Sequence, residues 1–579
     1  MSKTPKFDAA IAIILKDLSP QDKICRQCDT PFHIFQEDID FYKIFKVPPP
    51  TFCPDCRMQR RLSYRVNFLP VFYKRDCSAP GHKEKIISFY SNKNPTKVYD
   101  DEYYLSDSWD DLEFGLSYDS KKSFFNQFQT LSNNVPHQSL HKDPASVNSD
   151  YVVTGVSAKN CYYVAAPVHS EDIQYGSLPA YSRNCIDVIQ AYNSENCFNC
   201  VHIDRCANCN YCYESSNCLD CNFLFDCKNC TNCFGCSNLR NKSYCFFNQQ
   251  LTKEEYQEKM SQINFGDRDI AKKYSDLFEK EIVKRAIHRN LQNFKVENVT
   301  GNDIKNARNC FQCFSIIIES ENIRYVIYAD GAKDSMDVFG TSKSELIYET
   351  TGVAPGNNIK FSMIIRNGSE IEYSLECNNC QNLFGCFALK NKKFCIFNKQ
   401  YSEEEYWQKI DILKTEMLKN GEYGEFFPIA DSPIPYQDSN ANIIFPLTKE
   451  EIIKGGWHYE EKEDSDLDLS KFQIIKRDQI PTDIKNVGED ILDKVIICEK
   501  TEKPFRLTRF EFDFYKRKNL PIPTLHPFDR IKDLFLTWRH PFTLWKTECE
   551  KCGNEMWSGH DPTRKLKVYC ESCYLQEVV

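Results

Sequence analysis

From about residue 157 the chain alternates short apolar runs with a recurring polar phrase, Ser/Ala-x-Asn/Asp-Cys/Ile: AKNC at 158, SEDI at 170, SRNC at 182, SENC at 194 and SSNC at 215. The step is twelve residues, later combining into coils of 21, so that Cys185, Cys206 and Cys227 are evenly spaced, as are Cys197 and Cys218, Cys200 and Cys221, and Cys209 and Cys230. A second block starts at ARNC (307) and continues through SENI (320), AKDS (332), GNNI (356) and GSEI (368), at steps of about 11 to 13. A fixed period with one short apolar segment per half-step predicts a solenoid. The segments are rich in Tyr, Phe, Ile and Val without helical spacing, which predicts β-strands. Both blocks therefore read as β-helix-like, with Asn and Asp before each inward residue at the corners, where they tolerate unusual backbone angles.

The two blocks close alike. CKNCTNCFGCSNLRNKSYCFFNQQLTKEEYQEKM (227 to 260) matches CNNCQNLFGCFALKNKKFCIFNKQYSEEEYWQKI (377 to 410) at an offset of 150. Thr252 with Glu255, and Ser402 with Glu405, predict capping boxes that start helices covering the last coil and its exposed edge. Residues 6 to 18 and 120 to 132 predict two further amphipathic helices packed on a metal module, and residues 265 to 295 predict helices joining the blocks. Between about 420 and 490 the composition shifts to Pro, Asp, Ser and Asn with an acidic run, EEKEDSD (460 to 466), which predicts a linker holding one brief helix started by Thr448 and Glu451.

The 579 residues exceed a single core, so several domains are expected. A net charge of -9 argues against a protein that coats nucleic acid with its whole surface. With no long apolar run and no basic, cleavable leader, the expectation is a soluble, cytoplasmic protein. In that compartment the 30 cysteines read as metal ligands or buried thiols rather than disulfides.

Cys25-x-x-Cys28 followed by Cys53-x-x-Cys56 has the spacing of a structural zinc site, as do Cys549-x-x-Cys552 and Cys570-x-x-Cys573. About two zinc ions are therefore expected. The two ends are also duplicates: CRQCDTPFHIFQEDIDFY from Cys25 overlays CEKTEKPFRLTRFEFDFY from Cys498, and Arg57 falls on Arg530. In the second copy Cys28 has become Thr501, Cys53 His526 and Cys56 Asp529. The pattern reverses further on, where FYKRDCSAPGHKEKIISFYS keeps Cys77 against the intact C-terminal pair. The unit reads as a tandem of zinc sites of which each copy kept a different one. Cys498, His526 and Asp529 offer a three-ligand catalytic zinc as the alternative to decay, and Cys77 with His82 pose the same choice.

Thirteen cysteines lie between 185 and 245. Cys227, Cys230, Cys233 and Cys236 could ligate an iron-sulfur or multi-metal centre for redox chemistry. Inward packing is favoured instead, because equivalent rungs use Ile, Leu or Ser. Arg57, Arg60, Arg61 and Arg65 share one face of the helix predicted after Cys56, which suits phosphate contacts and makes RNA or DNA binding the second reading. No serine triad, phosphate loop or His-Glu metalloprotease motif is present, and His137, His141 and His169 lack metal spacing, so an enzyme is not the expectation.

Two knuckles with a basic helix after the second resemble treble-clef and zinc-ribbon fingers. FCPDCRMQRR, NCFGCSNLRNKSYC and CEKTEKPFRL together resemble bacterial proteins of uncharacterised role that carry terminal CxxC zinc modules around Cys/Asn-rich repeats; no activity comes with that resemblance. The expected architecture is mainly β with helices. It comprises an N-terminal zinc module (1–110), a first β-solenoid block (111–250), a helical connector (251–300), a second block (301–400), a helical cap with acidic linker (401–490) and a C-terminal zinc module (491–579). The expected role is a zinc-stabilised scaffold without catalytic activity that binds a protein partner on its repeat face.

Overall fold

Asn and Asp accept the left-handed backbone region at lower cost than most side chains, because their short polar groups hydrogen-bond locally. The computed structural model, which describes residues 2–316, 319–461 and 469–579, places a left-handed residue, often Asn or Asp, at nearly every third position of the repeat blocks. Asn193, Asn196, Asn199, His202, Arg205 and Asn208 all have φ between 48° and 54°. Each twelve-residue step thus has four short sides. The residue after each bend points inward: Cys197, Cys200, Ile203, Cys206 and Cys209 are at most 1% exposed.

This geometry stacks one step on the next. Among the described residues the first block forms a 10-stranded sheet running in chain order from Tyr151–Val153 to Gln249–Gln250. The second forms an 8-stranded sheet from Phe294–Ile316 to Lys399–Gln400. Apart from an antiparallel last strand in each, neighbours are parallel: Val188 faces Cys200 and Ile359 faces Ile371, twelve residues on in each case. The 21-residue spacing of cysteines is not a second repeat length, since the strands pair at steps of twelve residues, which corrects the expectation. Where cysteines are densest, Cys212 faces Leu224 and Leu224 faces Cys236. Inward positions recur every three residues, so any multiple of three also joins them.

The blocks are mixed with helices into a chain whose two ends fold alike. The strands Gln21–Ile24 and Pro31–Ile34, followed by helices Gln36–Phe45 and Pro54–Leu62, reappear as Lys494–Ile497, Pro504–Phe505, Arg509–Lys518 and Pro527–Trp538. Both first helices end on a left-handed residue at matching positions, Lys46 and Asn519. The ends dock crosswise. Helix Pro54–Leu62 lies on the second block, against strand Ile327–Val353, while helix Pro527–Trp538 lies on strands Glu171–Ser177 and Arg183–Tyr192 of the first.

After each block the chain reverses at paired left-handed residues, Phe247–Asn248 and Phe397–Asn398. It then enters helices Lys253–Ser261 and Glu403–Lys419 through the expected capping boxes at Thr252 and Ser402. Tyr256 and Tyr406 pack their rings on Tyr244 and Phe394 of the last coils. Two helices do not sit wholly where the sequence suggests. Pro5–Lys16 packs on the cap helix Glu403–Lys419, where Asp411 accepts from the Phe7 N–H at 2.8 Å. Phe124–Asn134 inserts Phe124 among Tyr373, Phe384 and Phe397 of the second block. Helix Pro5–Lys16 also touches helix Gln36–Phe45 of the N-terminal module, with Asp8 3.0 Å from Lys46, so the expected packing on that module holds in part for it.

The expected linker is a buried strap over its first part: Tyr423, Phe426, Phe427, Ile429 and Tyr436 are at most 5% exposed. Its brief helix, Lys449–Lys454, starts at Thr448 as expected. Of the acidic run, residues 462–466 lie outside the described residues.

The left-handed corners make a direct prediction. Asn232 has φ 51°, so Asn232→Val should lower stability in urea unfolding by about 1–2 kcal/mol. Asn232→Gly should stay within about 1 kcal/mol of the parent; equal losses for both would refute the left-handed assignment.

Candidate metal centre

Each complete four-cysteine group is assembled from a knuckle and a helix start. Cys25 follows strand Gln21–Ile24, and the turn closes through Asp29 N–H donating to the Cys25 carbonyl at 3.0 Å, with Asp29 left-handed. Cys53 is the N-cap of helix Pro54–Leu62 and Cys56 lies in its first turn. At the other end Cys549 follows strand Trp545–Glu548, Gly553 supplies the left-handed residue, and Cys570 is the N-cap of helix Glu571–Val578. In each group all four sulfurs lie within 4.8 Å of one another. The Cys28–Cys53 and Cys552–Cys570 sulfur separations are 3.8 and 3.9 Å. A tetrahedral ion with metal–sulfur distances of about 2.3 Å requires edges of about 3.8 Å. Both groups can hold a metal ion.

The electrostatics favour thiolate at one knuckle or helix-start position of each group and the neutral thiol at the last cysteine, where a hydrogen bond with Cys53 and burial push Cys56 up, and burial and the neighbouring sulfurs push Cys573 up to about 12. Hydrogen bonds from Cys56 bring Cys53 down to about 5. Burial opposes ionisation of Cys549, yet N–H groups of Cys570, Cys552 and Lys551 bring it to about 6. Helix starts add their partial positive charge.

The first degenerate set has turned to hydrogen bonding. Thr501 donates to Asp529 at 2.6 Å, the Cys498 thiol donates to the same carboxylate oxygen at 3.5 Å, and His526 Nδ1 accepts from the Phe528 N–H at 3.1 Å as a helix cap. Cys498, His526 and Asp529 therefore do not converge as a three-ligand catalytic centre. Cys77 and His82, by contrast, do meet, with Sγ and Nδ1 3.8 Å apart.

The central cysteines use their sulfurs toward the backbone. Cys209 donates to the Cys218 carbonyl at 3.4 Å and Cys218 to that of Cys227 at 3.6 Å, in each case nine residues on. Cys230, Cys233 and Cys236 do the same toward Leu239, Lys242 and Cys245. Burial pushes the Cys161 and Cys380 thiols up to about 11 and Cys236 to about 12.

The arginine helix corrects the nucleic-acid assignment. Arg57, Arg60, Arg61 and Arg65 are 1%, 4%, 2% and 5% exposed. Arg57, Arg60 and Arg61 turn one helix face to the second block, whereas Arg65 lies beyond the helix end at Leu62, which corrects its placement on that helix. Arg57 pairs with Asp337 at 2.9 Å, Arg60 with Glu349 at 3.1 Å and Glu425 at 2.8 Å, and Arg61 with Asp337 at 3.3 Å. Burial lowers Arg65 to about 10. The duplicate is faithful: Arg530 pairs with Asp187 at 2.9 Å, and Asp187 and Asp337 are separated by the same 150 residues as the two blocks. Arg57 lies over the Tyr325 ring and Arg530 over that of Tyr175, again 150 residues apart.

His137 and His141 are structural: His137 bonds the Ser132 carbonyl at 2.9 Å and His141 lies 3.1 Å from Glu376. His169 stacks on Tyr181. A third histidine group had no signal in the sequence, because its members come from separate segments. His540 lies 2.7 Å from Glu214 and 3.7 Å from Asp303, and its ring stacks on His202 at 4.3 Å and 8°. Stacked imidazoles direct their in-plane nitrogens side by side rather than at one ion. This cluster therefore fits an ionic lock between the blocks and the C-terminal end.

Family models, curated proteins and solved structures gave no match to this chain.

Truncating Arg57 to Ala leaves Asp337 buried with a weakened counter-charge and should cost about 3–5 kcal/mol in chemical unfolding. Asp337→Asn, which suits the left-handed corner, combined with Arg57→Met should recover part of that loss, since Glu349 stays beside Arg61 at 3.7 Å; no recovery would show that the pair is not the docking contact. The second prediction concerns pH. Burial alone would lower His540, but Glu214 and Asp303 outweigh it and hold it at about 10, above the ordinary 6.5. Its stabilisation is complete below about pH 6.5 and fades as pH rises toward 10. Unfolding midpoints should fall from pH 6 to 9, and His540→Gln should flatten that slope.

Proposed function

We propose that this chain is a zinc-stabilised scaffold whose two parallel ladders are the coils of β-solenoids and which binds a protein partner on their outer face without catalysing a reaction. The observation that carries the reading is the pair of closed four-cysteine groups, each supplying all four ligands of a tetrahedral ion. Such sites stabilise folds, whereas catalytic zinc keeps a position open. The knuckle, hairpin and ligand-bearing helix are similar to treble-clef and zinc-ribbon fingers. Reducing surroundings, as in a cytoplasm, suit a chain in which all 30 cysteines are free. Among the described residues no helix is long and apolar enough to cross a membrane.

The outer face supports binding rather than chemistry. Its rows pair charges one coil apart, Lys159 with Glu171 at 2.5 Å, Arg183 with Glu195 at 2.7 Å and Arg308 with Glu321 at 2.7 Å. An 860 Å³ groove bordered by Lys295, Glu297, Arg308, Lys333 and Lys343 opens beside the second ladder. Side chains held by a rigid coil lose little entropy when a partner covers them.

Elemental analysis of anaerobically purified chain tests the metal part of the reading. Zinc is expected, with one equivalent lost in Cys28→Ser and one in Cys552→Ser, and none lost in Cys227→Ser. Iron in place of zinc, or metal lost from Cys227→Ser, would favour a redox centre in the ladder.

A further inference from the structure

The duplicated ends compare site by site. Cys77 is the first residue after strand Tyr73–Asp76, as Cys549 is after Trp545–Glu548. His82 stands three residues before strand Lys85–Ser88, as Cys552 stands three before Glu555–Ser558. The hairpins close alike, Cys77 N–H donating to the Glu84 carbonyl at 3.2 Å and Cys549 N–H to that of Asn554 at 2.9 Å. Next, Val98-Tyr99-Asp100 leads into helix Asp101–Leu105 as Val568-Tyr569-Cys570 leads into helix Glu571–Val578. Asp100 is the N-cap where Cys570 is the N-cap. Three cysteine positions of the intact site are thus filled by Cys, His and Asp, every one a metal-ligating type. The fourth, Cys573, corresponds to Tyr103, whose ring packs on His82 at 4.9 Å.

We infer that Cys77, His82 and Asp100 form a third metal site, binding zinc or a similar divalent transition ion through one sulfur, one nitrogen and one oxygen. A tetrahedral zinc sets separations of about 3.6 Å between sulfur and a nitrogen or oxygen ligand, and of about 3.4 Å between nitrogen and oxygen. The structure has 3.8 Å from Cys77 Sγ to His82 Nδ1, 3.6 Å from Cys77 Sγ to Asp100 Oδ2, and 3.4 Å from His82 Nδ1 to Asp100 Oδ2. Asp100 divides its labour: Oδ1 accepts from the Tyr103 N–H at 2.9 Å to cap the helix, which leaves Oδ2 for the ion.

Glu84 Oε1 lies 2.5 Å from Nδ1, a hydrogen-bond distance shorter than the nitrogen–oxygen edge of a tetrahedral site, so this half-exposed carboxylate swings off Nδ1 when an ion binds and either becomes the fourth ligand or leaves that position to water. Mixed sulfur, nitrogen and oxygen donors favour the zinc end of the divalent series over magnesium or calcium. The other degenerate set lacks this geometry, since Thr501 and a helix-capping His526 have taken its places.

Metal counting on the full chain, loaded with zinc and then dialysed, tests the site. Three equivalents are expected in the parent and two in Cys77→Ser, His82→Ala and Asp100→Asn. Asp100→Cys, which restores the duplicate's ligand, should keep three and add thiolate-to-metal absorption when loaded with cobalt. Two equivalents in the parent, unchanged in His82→Ala, would overturn this site and leave the two four-cysteine centres standing. Loss of all metal in the parent would instead refute the zinc reading itself. If Cys77→Ser fails to fold, His82→Ala and Asp100→Cys decide the matter on the surface-facing ligands.

Discussion

Two buried guanidinium–carboxylate contacts, Arg57 with Asp337 and Arg530 with Asp187, hold the rest of the structure in place. A buried carboxylate without a partner is among the costliest features a fold can carry. Both aspartates occupy left-handed corners of the ladders, φ 57° and 54°, with side chains directed out of the coil rather than into it. Each ladder thus presents a buried anion that a docked end neutralises, and the second ladder adds Glu349, which pairs with Arg60 at 3.1 Å. Arg57 directly follows Cys56 of the four-cysteine group, so a residue able to hold a metal and the residue that holds the ladder are neighbours on one helix.

The same design recurs at the second tier. Tyr574 follows Cys573 and donates to Asp226, while Tyr104 follows Tyr103 and donates to Glu376 at 3.0 Å; Asp226 and Glu376 are again 150 residues apart. Docking residues persist in all four copies of the unit, whereas complete four-cysteine sets persist in two. Once the ladder supplies the counter-charge, a metal is no longer the only way to fix the helix. That explains how Thr501 and Asp529 could replace two ligands by a 2.6 Å hydrogen bond without loss of the fold. Because the N-terminal end docks on the second ladder and the C-terminal end on the first, neither half of the chain contains its own complete set of contacts.

The repeat, the capping boxes and the eight-cysteine spacing were legible because each rests on local geometry: a left-handed corner, a helix start, a knuckle. The duplication was legible too, but only as far as a constant offset carries. Between Cys77 and Asp100 lie two more residues than between Cys549 and Cys570, so the overlay slips and hides the match of VYDDEYYL to VYCESCYL. That short similarity was the signal for Asp100. No comparable signal marks His202, Asp303 and His540, which are brought together only by the packing of three segments.

The sequence by itself determined the chemistry of the repeat and the two four-cysteine groups, since bend, cap and knuckle are each decided within a few residues. Only the tertiary structure decided where Arg57, Arg60, Arg61 and Arg65 face. A cationic helix suits phosphate and carboxylate equally, and the choice was made by acidic residues some 280 positions away, Asp337 and Glu349, whose burial demanded it. Long-range charge compensation has no local pattern, so it became visible only when the second ladder and the first helix pair were seen in contact.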